Sequence, residues 1–244
     1  MKFILRATAA PALLILAACA SPDANETALI ADPAEPVNRG IHAFNKGADT
    51  IIIRPVSQAY GTIMPEPVER TVENFIGNLA LPSDIVNNAL QGDTDALGDN
   101  LGRFLMNTTL GMGGLLDVAG DTGIERQPAD FGQTLATYGV GEGPYVELPL
   151  YGPSTARDAV GIVVDLITDP TGLADGDAAP DILTGASVVA VIDTRDELGP
   201  VLDGILYDSE DSYSAAQTAY IQLRRAFVNG TDATDEGFVD IYAE

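Results

Sequence analysis

The sequence of 244 residues contains 36 acidic and 12 basic side chains, which gives a formal net charge of −24 at pH 7. This charge argues against a nucleic acid partner, because binding to phosphates needs clustered Lys and Arg. The length predicts one domain, and the hydrophobic content of 46% is sufficient for a packed core.

Residues 1–18 have the pattern of a bacterial lipoprotein signal peptide. Lys2 and Arg6 form a positive segment, and the next ten residues form an apolar segment that is too short to span a bilayer. Small residues then lead directly to Cys19, the only cysteine in the chain. We therefore expect cleavage before Cys19 and attachment of lipid to it, with palmitate as an acyl chain. An ordinary secretory signal with a chance cysteine is the alternative.

The rest of the chain divides into three parts by composition. Residues 19–36 are small, polar and proline-bearing, which predicts a flexible tether. Residues 37–228 carry a helical pattern and are predicted to form one domain. Residues 229–244 are predicted to be a disordered acidic tail.

Apolar residues at 3-4 spacing predict helices throughout this domain. Pro55 is expected to kink or end the first helix, Ser83 or Asp84 to cap a short fourth one, and Asp93 or Thr94 to cap the fifth. The glycine-rich run 110–117 follows as a break. In order, the helices of the first half are predicted at residues 37–52, 56–63, 67–79, 85–90 and 94–108.

The second half is predicted to contain a brief helix at 130–138 and a short strand or hairpin that includes Tyr145 to Leu148. Ser154 is expected to cap a helix that reaches Ile167, and residues 175–181 are expected to be a loop. A long helical region at 182–206 and a final helix at 213–227, ended by Gly230, complete the domain. The fold is therefore predicted to be mainly α, and the mature chain contains no apolar run of 18 residues that would span a membrane.

The residues give no support for an enzyme, a metal site or a cofactor. Gly-x-Ser-x-Gly is absent, and His42 is the only histidine, so zinc and a serine triad are both disfavoured. The run that begins at Asp93 resembles a calcium loop, but its twelfth position is Phe104 instead of Glu. The glycine runs 111–114 and 139–143 lack the Gly-Lys-Ser/Thr ending of a nucleotide loop.

Short motifs from about residue 32 to 228 resemble the VacJ/MlaA family of outer-membrane lipoproteins, and their order along the chain makes the resemblance specific. The motifs are Asp32-Pro33-x-Glu35-x-x-Asn38-Arg39, Phe44-Asn45, Arg54-Pro55-Val56, Asn74-Phe75-x-Gly77-Asn78-Leu79, Pro82, Val86-Asn87-x-x-Leu90-Gln91-Gly92-Asp93, Arg103-Phe104-x-x-Asn107-Thr108, Leu110-Gly111-Met112-Gly113-Gly114, Asp117-Val118-Ala119, Asp130-Phe131-Gly132-Gln133-Thr134-Leu135, Tyr138-Gly139-Val140-Gly141, Gly143-Pro144-Tyr145, Leu148-Pro149, Arg157-Asp158, Ile192-Asp193-x-Arg195, Asp211-x-Tyr213, Ala219-Tyr220 and Arg225.

The resemblance implies a ring of amphipathic helices with at most a short hairpin and no transmembrane helix. Such a ring is lipid-anchored and embedded in the outer membrane from the periplasmic side. It surrounds a polar channel that withdraws mislocalised phospholipids from the outer leaflet and passes them to a soluble periplasmic carrier. The expected partners are therefore phospholipid, a trimeric porin and that carrier, with no chemistry on the substrate and no cofactor.

The resemblance also gives candidate residues for a channel or gate. Helix capping and buried hydrogen bonds are the alternative role for the polar ones, and simple packing for the aromatic ones. Two other functions stay open: a scaffold that binds porins without moving lipid, and an envelope phospholipase that would use His42. The channel or gate candidates are Arg103, Asn107, Gly111, Gly113, Gly114, Asp117, Phe131, Tyr138 and Tyr145, beside the lipid-attachment residue Cys19.

Overall fold

The computed structural model describes residues 29–168 and 179–230. These residues form a mainly α fold with one short hairpin, which confirms the predicted fold class. The predicted signal peptide, Cys19, most of the tether and the tail beyond Gly230 lie outside the described residues. The elements are α1 (Glu35–Ala48), a first π-helical segment (Asp49–Ile53), α2 (Arg54–Ile63), α3 (Glu66–Gln91), α4 (Thr94–Thr109), α5 (Val118–Asp121), α6 (Phe131–Thr137), β1 (Tyr145–Leu148), β2 (Gly152–Thr155), α7 (Ala156–Thr168), α8 (Ala179–Glu197), α9 (Gly199–Asp203), a second π-helical segment (Gly204–Asp208) and α10 (Ser212–Asn229).

The first helical path is continuous, because α1 passes through the first π-helical segment into α2. Pro55 lies in the first turn of α2 and does not end the path. The residue before it, Arg54, donates its N–H to the carbonyl of Asp49, which is the wider hydrogen bond of a π turn. Pro55 has no N–H to donate, and the wider π turn accommodates this missing hydrogen bond. We therefore attribute the continuity of the helical path to the π turn.

α3 is one helix, so the predicted break near residue 80 and the predicted cap at Ser83 or Asp84 are wrong. Pro82 lies inside the helix. Asp84 is buried, and its carboxylate accepts hydrogen bonds from Arg126 Nε at 2.7 Å and from the Ala129 N–H at 3.2 Å. These tertiary contacts keep the residues after Pro82 helical despite the cost of an internal proline.

Several helix ends follow the local signals of the sequence. Gly92 adopts a left-handed conformation at the end of α3, and Gly230 does the same at the end of α10. Asp93 caps α4 by accepting the Ala96 N–H at 3.0 Å, as predicted. Asp211 caps α10 in the same way by accepting the N–H of Tyr213 at 3.1 Å.

The predicted strand at Tyr145 to Leu148 is confirmed as β1, which pairs antiparallel with β2. Ser154 is buried inside β2, so the prediction that it caps the next helix is wrong. Thr155 takes this role one residue later, since its hydroxyl accepts the N–H of Asp158 at 3.2 Å. Because Ser154 is part of the paired strand β2, α7 begins only after Thr155.

The long helical region predicted at 182–206 consists of three pieces. α8 ends at Glu197, α9 begins at Gly199-Pro200, and the second π-helical segment follows it. A proline fits the first turn of a helix and not its interior, which explains the division. α8 begins at Ala179, so residues 179–181 are helical and not part of the predicted loop, while 175–178 lie outside the described residues.

The elements form a closed circuit of contacts. α1 contacts β1, β1 pairs with β2, and β2 contacts α10. α10 contacts the second π-helical segment, which contacts α9, and α9 contacts α8. α8 contacts α2, which returns to α1 through the first π-helical segment. α3 packs outside this circuit against α8, α4 and α6.

The distribution of polar and apolar side chains is inverted relative to an ordinary soluble domain. Among the described residues, more polar or charged side chains than hydrophobic ones are buried. Large hydrophobic side chains are exposed on α1, α2, α4 and α7, and Ile51 and Leu166 are 75% and 79% exposed. Exposed apolar surface on this scale marks contact with another molecule or a membrane. Within the described ranges we find no helix long and apolar enough to cross a membrane.

Candidate functional site

A cavity of about 600 Å³ lies inside the closed circuit. Its wall is built from α1, the first π-helical segment, the hairpin and its turn, α8, α9, the second π-helical segment and α10. This volume is within the usual range of small-molecule sites. The lining residues are His42, Asn45, Lys46, Asp49, Ile53, Glu147, Leu150, Tyr151, Gly152, Pro153, Ala190, Val191, Thr194, Arg195, Leu202, Ile205, Leu206, Ala216, Ala219, Tyr220 and Leu223.

The two sides of this cavity differ in chemistry. The side formed by α9, the second π-helical segment and α10 is aliphatic, with Leu202, Leu206 and Leu223 among its residues. The side formed by α1 is polar, and Arg195 of α8 joins it. The lining is therefore mostly apolar with a smaller polar part, and this amphipathic cavity suits a ligand with a large apolar part and a smaller polar or charged part.

Arg195 is held in a compact ion-pair cluster at the polar side. Its Nε lies 2.8 Å from Asp49 Oδ1, and its Nη2 lies 2.6 Å from Asp203 Oδ1. Tyr207 donates its hydroxyl to Asp49 at 2.7 Å, and Arg54 pairs with Asp203 at 2.7 Å. The hydrogen bond to Asp49 raises the pKa of Arg195 above its usual range, ahead of the opposing effect of burial. The Arg195 charge is thus compensated within the protein.

Lys46 is the exception among the basic side chains of the described residues, because each described arginine forms an ion pair and Lys46 forms none. Its Nζ donates to Ser212 Oγ at 3.3 Å and lies 5.5 Å from the centre of the Tyr207 ring. Lys46 lines the polar side of the cavity. Among the described residues, Lys46 is therefore a lining cation whose charge no carboxylate neutralises through an ion pair.

His42 lies between a serine and a carboxylate. Its Nε2 is 3.1 Å from Ser212 Oγ, and its Nδ1 is 3.3 Å from Glu147 Oε1. This order resembles a serine relay, but Ser212 does not line the cavity, and Lys46 and His42 both contact its hydroxyl. Asn45 also contacts Glu147 at 3.3 Å. The arrangement connects α1, β1 and α10 through buried and partly buried hydrogen bonds.

Tyr145, a predicted gate residue, begins β1, is fully buried and does not line the large cavity. Its hydroxyl donates to Glu147, and its ring meets the Tyr213 ring edge-on at 5.8 Å. Burial, and then the contact with Glu147, raise the Tyr145 pKa far above its usual range. The residue packs the hairpin against α10.

The structure brings Arg103, Asn107 and Asp117 together, but away from the large cavity. Arg103 Nη2 lies 2.8 Å from both carboxylate oxygens of Asp117, and Asn107 Nδ2 donates to Asp117 Oδ1 at 2.8 Å. Partial burial favours the neutral acid, yet the hydrogen bonds from Arg103, Gly120 and Asn107 together lower the Asp117 pKa. The three residues line a smaller cavity of about 120 Å³ beside α3.

The predicted glycines form a hydrogen-bonded turn between α4 and α5. Gly113 and Gly114 have positive φ angles of 78° and 94°. A Cβ on Gly114 would lie 2.5 Å from Asn78, and one on Gly111 would lie 2.5 Å from the Asn107 carbonyl. The glycines are needed here for backbone conformation and close packing.

Two further predicted residues lie near α6. Phe131 begins this helix, and its N–H donates to Asp165 at 2.9 Å. Tyr138 is 70% exposed, with its hydroxyl donating to the Leu90 carbonyl at 2.9 Å. Neither lines the large cavity, and Cys19 lies outside the described residues. A channel or gate role for these residues stays a prediction.

The residues of the large cavity were not among the predicted sites. They come from α1, the hairpin, α8, α9 and α10, which are distant in sequence. On α1 and the first π-helical segment, the polar residues Asn45, Lys46 and Asp49 were separable from the apolar stripe in the sequence, and this was the one available signal. The direction in which that polar face points depends on the circuit of contacts and not on the helix itself.

Comparison with known proteins agrees with this architecture. The sequence model of the family described as MlaA lipoprotein matches residues 30–227. The chain is 38% identical over 220 residues to the intermembrane phospholipid transport system lipoprotein MlaA of Shigella flexneri, covering 88% of this chain and 85% of that protein. The protein of the same name from Escherichia coli K12 is 38% identical over 227 residues, with the same coverage.

A solved structure is also similar. It comes from work on the structural basis for maintenance of bacterial outer membrane lipid asymmetry, and it matches with a TM-score of 0.70 at 38% sequence identity. The match covers 82% of this chain and 100% of that one. An uncharacterised protein of Rickettsia felis is 37% identical over 198 residues, covering 81% of this chain and 78% of that protein.

Proposed function

Because the chain belongs to the MlaA lipoprotein family, we propose that it is an outer-membrane lipoprotein of intermembrane phospholipid transport. It removes mislocalised phospholipids from the outer leaflet through the 600 Å³ cavity, hands them to a soluble periplasmic carrier and so maintains lipid asymmetry. A trimeric porin is its proposed partner in the membrane. The observation that carries this proposal is the amphipathic cavity inside the closed circuit.

The chemistry of the cavity matches the chemistry of a phospholipid. Acyl chains gain from the aliphatic side around Leu202, Leu206 and Leu223, because burial of apolar surface is favourable. The phosphate of the headgroup needs a cation, and Lys46 is the lining cation without an ion pair among the described residues. Arg195, by contrast, is already paired with Asp49 and Asp203. We therefore assign the phosphate contact to Lys46.

The outer surface supports a position within one leaflet. Exposed apolar side chains on α1, α2, α4 and α7 offer an apolar exterior, and amphipathic helices of this kind lie in the membrane interface. Lipid attached at Cys19 would deliver the chain to the outer membrane from the periplasmic side. The helices would then strengthen the attachment.

The transport proposal is tested by deleting the gene and measuring phospholipid exposed on the cell surface. We expect deletion to increase surface phospholipid and the wild-type gene to reverse the increase. Ala219→Phe fills the cavity from α10 and should fail to restore asymmetry. Ala43→Phe, which adds the same ring to the exposed outside of α1, should restore it. Full restoration by Ala219→Phe would instead favour a scaffold that moves no lipid.

A separate measurement addresses catalysis. Purified protein in phospholipid vesicles should release no fatty acid, since the His42 arrangement lacks access from the cavity to Ser212. Release that is abolished by His42→Ala would replace transport by a phospholipase function.

A further inference from the structure

Three carboxylates from α3 and α8 converge on the outside of the closed circuit. Glu69 and Glu73 are one helical turn apart on α3, and Asp193 faces them from α8. One carboxylate oxygen from each residue lies within 4.8 Å of the other two. Within the described ranges, none of the three forms an ion pair with Lys or Arg. The nearby Arg70 already pairs with Glu66 at 2.5 Å.

Asp193 provides an independent sign of a missing partner. The residue is only 8% exposed, and its Oδ1 is buried without a hydrogen-bond partner. A buried carboxylate is normally paired, hydrogen-bonded or bound to a metal. The buried hydroxyl of Tyr60 is a polar neighbour of Asp193 and contacts its carboxylate. A neutral hydroxyl does not compensate the charge, so the Asp193 carboxylate has no cationic partner among the described residues.

The electrostatic environment of the three carboxylates also favours a bound cation. Burial, and then the charges of Asp193, Glu69 and Glu197, raise the pKa of Glu73, while Arg70 opposes this only weakly. Burial and Asp193 raise the pKa of Tyr60 to about 12. Negative charge thus accumulates between two helices that are in contact. A cation would relieve this repulsion.

We propose that Glu69, Glu73 and Asp193 bind a hard divalent cation of the calcium class, which joins α3 to α8. Calcium prefers carboxylate oxygens at about 2.4 Å, so two ligands on opposite sides of the ion are about 4.8 Å apart. The three oxygens lie within that limit and can therefore contact one ion together. Magnesium requires near-ideal octahedral geometry and usually keeps several waters, so a site of three carboxylates from two helices suits the more flexible coordination of calcium.

An ion at this position would affect the wall of the large cavity. Asp193 is followed on α8 by Thr194 and Arg195, which line the large cavity. An ion bound at Asp193 would therefore fix one wall of the cavity against α3. Glu73 is exposed, so the ion can enter from solvent.

The direct test is calorimetric titration of the full-length protein in detergent with CaCl₂ at constant ionic strength. We expect one saturable site, and a loss of about tenfold or more in affinity for Glu73→Gln and Asp193→Asn. Glu66→Gln is the matched control, because Glu66 lies on the same helix outside the cluster. No saturable binding would overturn the proposal, and so would wild-type affinity in both cluster variants. Glu73 is exposed, so its variant serves if Asp193→Asn does not fold.

A second measurement locates the ion. The chain has no tryptophan, so terbium bound at the cluster in place of calcium should be excited mainly through Tyr60. Tyr60→Phe should reduce this emission severalfold and leave calcium affinity unchanged. Undiminished emission would place the ion elsewhere and overturn the assignment. Magnesium should compete at least about tenfold more weakly than calcium, and equal competition would overturn the choice of calcium.

Discussion

Ion pairs compensate nearly all cationic side chains of the described residues, which makes Lys46 the informative one. We expect Lys46→Met to weaken binding of anionic phospholipid about tenfold, or about 1.4 kcal/mol, as is typical for a hydrogen bond to a charged group. Methionine retains the length of the side chain without its charge. Binding of fluorescent phosphatidylglycerol measures the effect. Arg70→Met, which removes an exposed charge outside the cavity, should have no effect. An equal loss in both variants would contradict the assignment.

Asp158 gives a prediction about pH. Burial favours its neutral form, but hydrogen bonds from Arg224, Arg157 and Thr155 lower its pKa to about 2. In the unfolded chain the pKa is about 3.9. Because the pKa of Asp158 is lower in the folded protein than in the unfolded chain, its ionised carboxylate stabilises the fold fully above about pH 4. This stabilisation is lost as the pH falls through about 2. The difference between the two pKa values corresponds to about 2.5 kcal/mol.

Denaturant unfolding of the wild type and Asp158→Asn between pH 6 and pH 2 measures this contribution. At pH 6 we expect the variant to be less stable by about 3 kcal/mol, because it leaves Arg157 and Arg224 partly unpaired in a buried position. The difference should shrink toward pH 2. A difference that is constant over the whole range would show that the ionised carboxylate contributes nothing.

Between elements, the contact of α6 with α7 depends on two glycines. A Cβ on Gly161 would lie 2.4 Å from the backbone nitrogen of Gly132. Backbone atoms cannot move aside without shifting α6, so we expect Gly161→Ala to destabilise the protein by about 2 kcal/mol. Thermal unfolding measures this.

The control for this prediction is Gly98→Ala on α4. Gly98 is exposed, and a Cβ there would meet nothing within 4 Å. This substitution should stabilise the protein by about 0.5–1 kcal/mol, because alanine is the better helix former. Similar effects of the two substitutions would mean that the close approach at Gly161 is unimportant.

The elements that the sequence predicted well are those whose ends are set locally. Asp93 and Gly230 act through hydrogen bonds and backbone conformation within a few residues, so their roles could be read from the sequence. The caps predicted at Ser83 or Asp84 and at Ser154 were wrong because distant residues decide the surroundings of these positions. The contacts of Asp84 keep α3 helical, and the pairing with β1 places Ser154 in a strand.

The candidate site was missed for a related reason. The periodicity of α1 and the first π-helical segment correctly separates an apolar face with Phe44 and Ile51 from a polar face with Lys46 and Asp49. It does not say what each face meets, and an apolar face was expected to pack inward. In the structure the apolar residues are exposed, and the polar ones line the cavity. A helix pattern fixes two faces, but the orientation depends on the whole fold and its surroundings.

In the molecule as a whole, large apolar side chains are exposed and polar ones are buried. This distribution predicts how the protein is held in the membrane. If the helices insert, Cys19→Ser should leave the protein in outer-membrane fractions. Adding Ile63→Glu and Leu166→Glu, at positions 78% and 79% exposed, should then release it. Each substitution removes an apolar contact of roughly 1.5–3 kcal/mol and introduces a charge that lipid disfavours.

Fractionation of the three-residue variant beside Cys19→Ser alone measures this release. Thr94→Glu in the Cys19→Ser background is the control, since it adds an acid to the exposed start of α4, between Asp93 and Asp95. We expect this control to stay in the membrane, because the added charge lies in a segment that is already polar. Complete release by Cys19→Ser alone would show that the attached lipid is the sole anchor. The exposed apolar surface would then require another partner, and the trimeric porin is the one we would test first.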